Sequence, residues 1–330
     1  MSNKKVLVTG ATGLLGSNIA AELLDRGYDV RVLMRKSSNP IALNGLDVEV
    51  MYGDIINEED VLAAGKGCVA IIHSAANTSQ WGPELAFHDA VNVQGTQNVI
   101  NAVKKWDMER LVHVSTANTF RPGSLQQPGD EMGDFSYTVL RTDYIDTKNQ
   151  AQQIVKDAVK NEGIPAIIVN PTFMIGGRDA KPSSGKMVLY YLRTPVVMCP
   201  TGGKNFVPVR DAAAGAVNAL DHGRFGECYL LANENLNYRQ FFTLIGQVSG
   251  RRKPFFTAPP GFLKTVGRTG DMISNVIGRK IPVSYANSSL LTIDNYYTPK
   301  KAVDELKMPQ TPLAEAIADA VSWFAANKYF

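Results

Sequence analysis

Between Lys5 and Asn170 the chain alternates short, mostly apolar β-branched runs with longer stretches whose apolar residues recur at helical spacing. The runs Lys5–Thr9, Asp29–Met34, Asp47–Tyr52, Val69–Ser74, Arg110–Ser115 and Pro165–Asn170 read as six strands. Helices are predicted over Leu14–Arg26, stopped at Gly27, over Val91–Lys105, and over Asp143–Asn161, closed by Gly163. Strands alternating with helices in this way predict an α/β fold, a doubly wound parallel sheet covered on both faces. After Pro171 the alternation lapses and Gly and Pro become frequent, as in Gly176-Gly177, Pro182, Pro195, Pro200 and Gly202-Gly203. Phe206–Leu220 reads as a return to the sheet followed by a helix, and Leu313–Phe330 as a closing amphipathic helix. The predicted division is a nucleotide-binding unit at 1–175 plus about 206–222, with a smaller mixed substrate lobe formed by 176–205 and 223–330.

The first strand runs directly into Thr9-Gly10-Ala11-Thr12-Gly13-Leu14-Leu15-Gly16, where the first helix opens. Glycines at a strand-to-helix junction permit a tight turn, a close backbone approach to a pyrophosphate and close packing of helix on strand. The free N–H groups and the positive end of the helix then attract the anion. A second cluster lies further on. Tyr144-Ile145-Asp146-Thr147-Lys148 sets a phenol and an ammonium one turn apart on one helix face. Protonating a nascent alkoxide near neutral pH requires a phenol brought down from about 10, and a nearby ammonium can do this. The same spacing recurs at Tyr296/Lys300 and Tyr297/Lys301, but both pairs span Pro299 and lie outside the nucleotide-binding half.

Composition narrows the reading further. The 330 residues are 45% hydrophobic and 20% charged, enough for a sizeable core. The 34 basic residues against 31 acidic leave a formal charge of +3, which gives no case for nucleic acid or an anionic surface as a general partner. Three scattered cysteines suit a reducing compartment, and four scattered histidines form no zinc pattern. No apolar run reaches the roughly 18 residues of a spanning helix, so a cytoplasmic location is the expectation.

The Gly-x-x-Gly-x-x-Gly turn followed by this Tyr–Lys pair resembles the short-chain dehydrogenase/reductase superfamily, specifically its extended branch, over nearly the whole chain. The resemblance implies a Rossmann-type sheet and a nicotinamide cofactor held at Gly10, Thr12, Gly13, Leu14, Leu15 and Gly16. It also implies that Lys148 holds the nicotinamide ribose hydroxyls beside Tyr144. Asp54-Ile55 matches the family's pair at the adenine, with a helix N-cap as the plainer role for Asp54. Ser74-Ala75-Ala76 matches the small-residue turn beside the dinucleotide, Asn92 the fourth-helix asparagine, and Asn170-Pro171-Thr172 the segment passing the nicotinamide. In Ser115-Thr116 the second hydroxyl corresponds to the family's substrate-oxygen binder, with Ser115 as the fallback. The helices around 91–105 and 143–161 often form a homodimer interface in the family.

The strand Val30–Leu33 is followed by Met34-Arg35-Lys36, where a Rossmann domain meets the adenosine ribose. No carboxylate is present, and Arg35 and Lys36 suit a 2′-phosphate. NADP(H) is therefore favoured and NAD(H) stays open, with both cations as solvated surface residues being the plainer reading. Ala117-Asn118 after Thr116 replaces the Asp-Glu of dehydratases, and Asn170–Gly177 resembles the segment of dihydroflavonol-reductase-like enzymes. True flavonoid enzymes place an asparagine where this chain has Arg121, which speaks against a flavonoid. The expected activity is NADPH-dependent reduction of a ketone or aldehyde of dihydroflavonol-reductase or 3β-hydroxysteroid type. A sugar-nucleotide epimerase and a non-catalytic dinucleotide sensor are the alternatives. Met187, Tyr190, Tyr191, Met198, Phe255, Phe256, Phe262 and Leu263 suit an apolar substrate or, more simply, the lobe's core. Phe262–Arg279, with Lys264, Arg268, Arg279 and Lys280, fits either a packed lid or a membrane-surface helix.

Overall fold

The computed structural model describes residues 4–78, 85–133, 135, 142–278 and 284–330. Seven strands form one sheet: β1 (Lys5–Thr9), β2 (Asp29–Met34), β3 (Glu49–Tyr52), β4 (Ala70–His73), β5 (Arg110–Val114), β6 (Ala166–Pro171) and β10 (Cys228–Leu231). Their order is β10-β6-β5-β4-β1-β2-β3, and every neighbouring pair is parallel. Strands buried on both faces carry continuous apolar runs, as Val6, Leu7 and Val8 do with no exposure at all. Helices α1 (Leu14–Asp25), α2 (Glu58–Gly65), α3 (Leu85–His88), α4 (Gly95–Lys105), α5 (Asp143–Glu162) and α6 (Lys186–Arg193) follow in chain order, then α7 (Val209–His222). One face of the sheet buries Val6, Val8 and Val112 with α1 and α7, whereas the other buries Leu7, Ile71 and Leu111 with α2, α4 and α5.

The strand order reverses between β1 and β4, which opens a crevice beyond their carboxyl ends. Thr9, His73, Val114 and Pro171 end their strands there.

Two departures from the sequence expectation matter. Strand β9 (Gly203–Pro208) pairs outside the main sheet, with β7 (Phe173–Ile175), β11 (Glu234–Asn237) and β13 (Asp294–Asn295), so the stretch around Phe206 does not rejoin the nucleotide-binding sheet. The strand that does rejoin it is β10, inside the stretch assigned to the substrate lobe. Cys228–Leu231 is short and fully buried, and its apolar run does not by itself reveal which sheet receives it. The second departure is a π-helical turn at Asp89–Gln94 ahead of α4, where a regular helix over Val91–Lys105 was expected. Such turns insert an extra residue and re-aim a side chain, here that of Asn92.

The remaining elements build the lobe. Strand β8 (Val197–Cys199) pairs with β12 (Phe255–Thr257). Helices α8 (Tyr238–Ser249) and α12 (Leu313–Ala326) enclose a third core with Phe206, Phe241 and Phe324. Of the apolar residues considered for a pocket, Tyr191 and Leu263 are core, whereas Phe256 and Phe262 are exposed. Helix α9 (Pro260–Ile277) packs on α10 (Tyr285–Leu290), and Arg279 and Lys280 lie outside the described residues. Pro299 caps α11 (Lys300–Leu306), and the two further Tyr/Lys pairs are split, the tyrosines in isolated bridges before the helix and the lysines inside it. Tyr297 donates to the Phe120 carbonyl at 3.2 Å, while Lys301 pairs with Glu227 at 2.6 Å. Among the described residues no helix is long and apolar enough to cross a membrane.

Candidate active site

The glycine turn stands at the crevice. Gly10 adopts φ +70, and a Cβ there would sit 2.6 Å from the Ala75 nitrogen. A Cβ on Gly16 would fall 2.3 Å from the Gly10 carbonyl oxygen and 2.8 Å from Ser74 Oγ. Both positions therefore require glycine, because the backbone of β1, the turn and the segment after β4 touch without room for a methyl group. Gly13 differs: it is exposed and begins α1 in an extended conformation with no side-chain cap, and no acidic residue occupies the first turn. The first N–H groups of α1 are thus left to an outside acceptor, as an anion site requires. Thr12 stands half-buried beside them, while Leu14 and Leu15 turn into the core.

Helix α5 brings the phenol and ammonium together with Thr116. Thr116 Oγ1 accepts from the Asn118 N–H at 3.3 Å, and the Thr116 side chain is the polar neighbour that favours the Tyr144 phenolate. Burial raises the phenol above its ordinary value, offset in part by Thr116. This reverses the direction sought from the sequence, since desolvation of the phenolate dominates and no charged group offsets it. Lys148 is buried, and its Nζ donates to the Val114 carbonyl at 2.6 Å. Burial pushes its ammonium down to about 7. Ser115 Oγ is buried with no hydrogen-bond partner.

A continuous hydrogen-bond chain links turn and catalytic helix. Thr96 Oγ1 donates to the Asn92 carbonyl at 2.6 Å, so it accepts from His73 Nε2 at 3.2 Å. His73 Nδ1 is then the acceptor for the Thr9 hydroxyl at 2.7 Å, which itself accepts from the Ala75 N–H at 3.3 Å. From Asn92, Nδ2 donates to Thr147 Oγ1 at 3.0 Å, and that hydroxyl donates to the carbonyls of Asp143 and Tyr144 at 2.8 and 3.1 Å. Asn92 also holds both backbone groups of Asn77. Every donor along the chain has an acceptor only if the imidazole is neutral. Burial and the charge of Lys148 enforce this, lowering His73 to about 3 and His113 well below the ordinary value.

The other expected residues occupy the rim. Arg35 and Lys36 are exposed where β2 ends. Asp54 accepts from the Ile56 N–H at 3.3 Å, while Asn57 caps α2, so Asp54 is no N-cap. Ile55 is buried and its carbonyl accepts from Asn98. Ala75 and Ala76 line the crevice half-buried. Pro171 ends β6, and Thr172 Oγ1 donates to Asn205 Oδ1 at 2.7 Å. Beneath them Asn170 donates to the Thr116 carbonyl at 3.1 Å and to Gln152 at 2.7 Å, fixing the strand end that carries Thr116. Sequence reasoning missed His73, Thr96 and Thr147. The available signal was a polar residue ending a run of buried strand positions. Among the described residues no group of His, Cys, Asp or Glu could hold a metal ion.

Residues 6–232 match the model of the NAD-dependent epimerase/dehydratase family. The chain belongs to this family. It is 32% identical over 327 residues to a putative dihydroflavonol 4-reductase of Synechocystis, covering 98% of this chain and 95% of that protein. It is 31% identical to sterol demethylase protein B of Methylococcus capsulatus, covering 96% and 97%. The crystal structure of gox2253 superposes with a TM-score of 0.86 at 30% identity, covering 98% and 99% of the two chains. The family is that of the extended short-chain dehydrogenases/reductases, and its members use a nicotinamide dinucleotide. The glycine cradle, the uncapped start of α1 and the partly used Lys148 ammonium fit such a group.

Two outcomes follow from this geometry. Gly16→Ala should destabilise the fold by about 1–3 kcal/mol through overpacking and weaken dinucleotide binding measured by fluorescence titration. Gly27→Ala, at φ +80 with nothing within 4 Å, should cost stability without affecting binding; equal binding losses in both variants would sink the cradle argument. The buried imidazoles also set an acid limit. Their native values are lowered, so the stability they confer is full above the unfolded value of about 6.5 and is lost as pH falls below it. The unfolding free energy from urea titration should fall as pH drops below about 6.5, by about 1.4 kcal/mol per pH unit for each imidazole. His73→Asn should flatten that drop, whereas an unchanged slope would deny His73 its neutral role.

Proposed function

We propose that this NAD(P)-dependent oxidoreductase reduces a ketone or aldehyde with NADPH, using Tyr144 as the proton donor. What carries the reading is the Tyr144 phenol, acted on by the Thr116 side chain and set one helical turn from the buried Lys148 on α5. A carbonyl oxygen set between the two hydroxyls would receive a hydrogen bond from Thr116 and a proton from Tyr144. The dinucleotide, when bound, supplies the hydride.

Lys148 would donate its remaining N–H groups to the nicotinamide ribose, which fixes the distance between that ring and the phenol. Its charge would stabilise the phenolate left after proton transfer. The turn from Gly10 to Gly16, with Thr12, Gly13, Leu14 and Leu15, would receive the pyrophosphate at the start of α1. Asp54 and Ile55 would border the adenine, and Ala75, Ala76, Asn92, Pro171 and Thr172 would flank the ribose and nicotinamide. Exposed Arg35 and Lys36 stand where a 2′-phosphate would need paired N–H donors. Relatives named as dihydroflavonol reductase, 3-beta-hydroxysteroid dehydrogenase and cinnamoyl-CoA reductase support carbonyl or alcohol chemistry on a fairly apolar substrate.

A panel of ketones and aldehydes assayed with NADPH and NADH side by side tests the reading. Tyr144→Phe should reduce turnover by about 10²–10⁴-fold while leaving NADPH binding intact. Retained activity would overturn the assigned proton donor. Arg35→Ala should raise the KM for NADPH about tenfold or more and leave that for NADH alone. Equal KM values in the parent protein would remove the preference for the phosphorylated cofactor.

A further inference from the structure

The lobe turns an apolar helix face to solvent. On α9, Phe262, Val266, Ile273 and Ile277 recur at spacings of four and seven and therefore share one side, with Met272 and Val276 beside them. All six are exposed, from 38% at Val266 to 87% at Val276. The opposite side holds the helix in place. Leu263 is buried there, and Gly267 lies so close to the start of α10 that a Cβ would meet the Ser284 carbonyl oxygen and Ser288 Oγ at 2.7 Å. Packing of α9 on α10 is thus achieved without the six apolar side chains. Two polar residues fall within their face, Thr265 and Thr269. Each turns its hydroxyl back to the carbonyl one turn earlier, that of Gly261 at 2.9 Å and that of Thr265 at 3.1 Å. Their donors are satisfied inside the helix, as hydroxyl groups facing hydrocarbon require.

Six large apolar side chains presented together to water are costly, and a helix with only one packed face gains from polar residues on the other. Their retention calls for a medium that receives them. The distribution of charge says which. Residues 251–280 carry seven lysines and arginines against one acid, Asp271, and that carboxylate accepts the Tyr285 N–H at 3.0 Å. The formal charge of the whole chain is only +3, so the rest of the molecule is net acidic. A second copy of the chain would set two such basic segments against each other, which like charge opposes. An anionic bilayer is opposite in charge and apolar beneath its headgroups, so it suits both features at once. Its field attracts this end of the molecule and repels the remainder, which sets the orientation of approach. Exposed Arg268, one turn before Met272, stands where the apolar face gives way to charge.

We propose that α9 is an interfacial helix, seated by its Phe262–Ile277 face on an anionic lipid surface, with the nearby lysines and arginines at headgroup level. The surface stands apart from the carbonyl-reductase reading, because none of its residues is assigned to the dinucleotide or the reacting atoms. Flotation of the full-length protein with vesicles tests it. Phosphatidylcholine vesicles with about 30% phosphatidylglycerol should bind the protein about tenfold or more tightly than phosphatidylcholine alone. Ile273→Glu combined with Val276→Glu should lower that affinity about tenfold or more. The Tm and NADPH binding should stay unchanged, since both side chains are exposed. Arg252→Gln combined with Arg268→Gln should narrow the difference between the two vesicle compositions several-fold. Equal affinity for both vesicles, or binding that survives the paired glutamates, would overturn the proposal. Absence of flotation on either vesicle would overturn it too, and a dimer abolished by the paired glutamates would then assign the face to a second copy.

Discussion

Everything at this site depends on how closely three backbone segments approach one another where β1 and β4 part. Gly10, Gly16 and the Ser74–Ala75 peptide meet with no space for a side-chain carbon. That contact seats α1 directly against the end of β1, so the first N–H groups of the helix face the crevice. A looser junction would move the helix end away and leave the anion to solvent-exposed cations alone. The neighbouring glycines have other reasons to be glycine. Gly27 and Gly163 end helices in the left-handed region, a local matter with no bearing on the crevice.

Contact at the turn is transmitted rather than isolated. The chain from Ala75 through Thr9, His73, Thr96, Asn92 and Thr147 to the Tyr144 carbonyl joins β1 and β4 to α4, the π turn and α5. Its direction is set by one neutral imidazole, and the neutrality is set by burial next to Lys148. The same burial that lowers the lysine therefore keeps the histidine uncharged. A hydrated site would relax both, and the orientation of α5 would then rest on packing alone.

The sheet was legible because parallel strands leave continuous apolar runs, and β2 has the predicted bounds Asp29–Met34 to the residue. The turn and the Tyr–Lys pair were legible because their chemistry depends on local spacing. What stayed hidden depends on contacts between distant parts of the chain. Cys228–Leu231 carries no mark saying which sheet receives it, and only the free edge of β6 decides that. The π turn at Asp89–Gln94 reads as ordinary helix until Asn92 is seen gripping Asn77 and Thr147. His73 looks like an isolated polar residue in a strand, and its meaning lies in what surrounds it.

The late position of β10 has a consequence for synthesis. The chain leaves β6, builds β7 to β9 and α7, and only then delivers the last strand of the main sheet. A ribosome must therefore release residues up to Leu231 before the sheet can close, and until then β6 presents an unpaired border to other nascent chains. Once β10 arrives, its own outer side is partly guarded, because Glu131 accepts the Leu230 N–H at 2.8 Å. Vectorial emergence thus makes this middle stretch the interval of greatest vulnerability to misassociation.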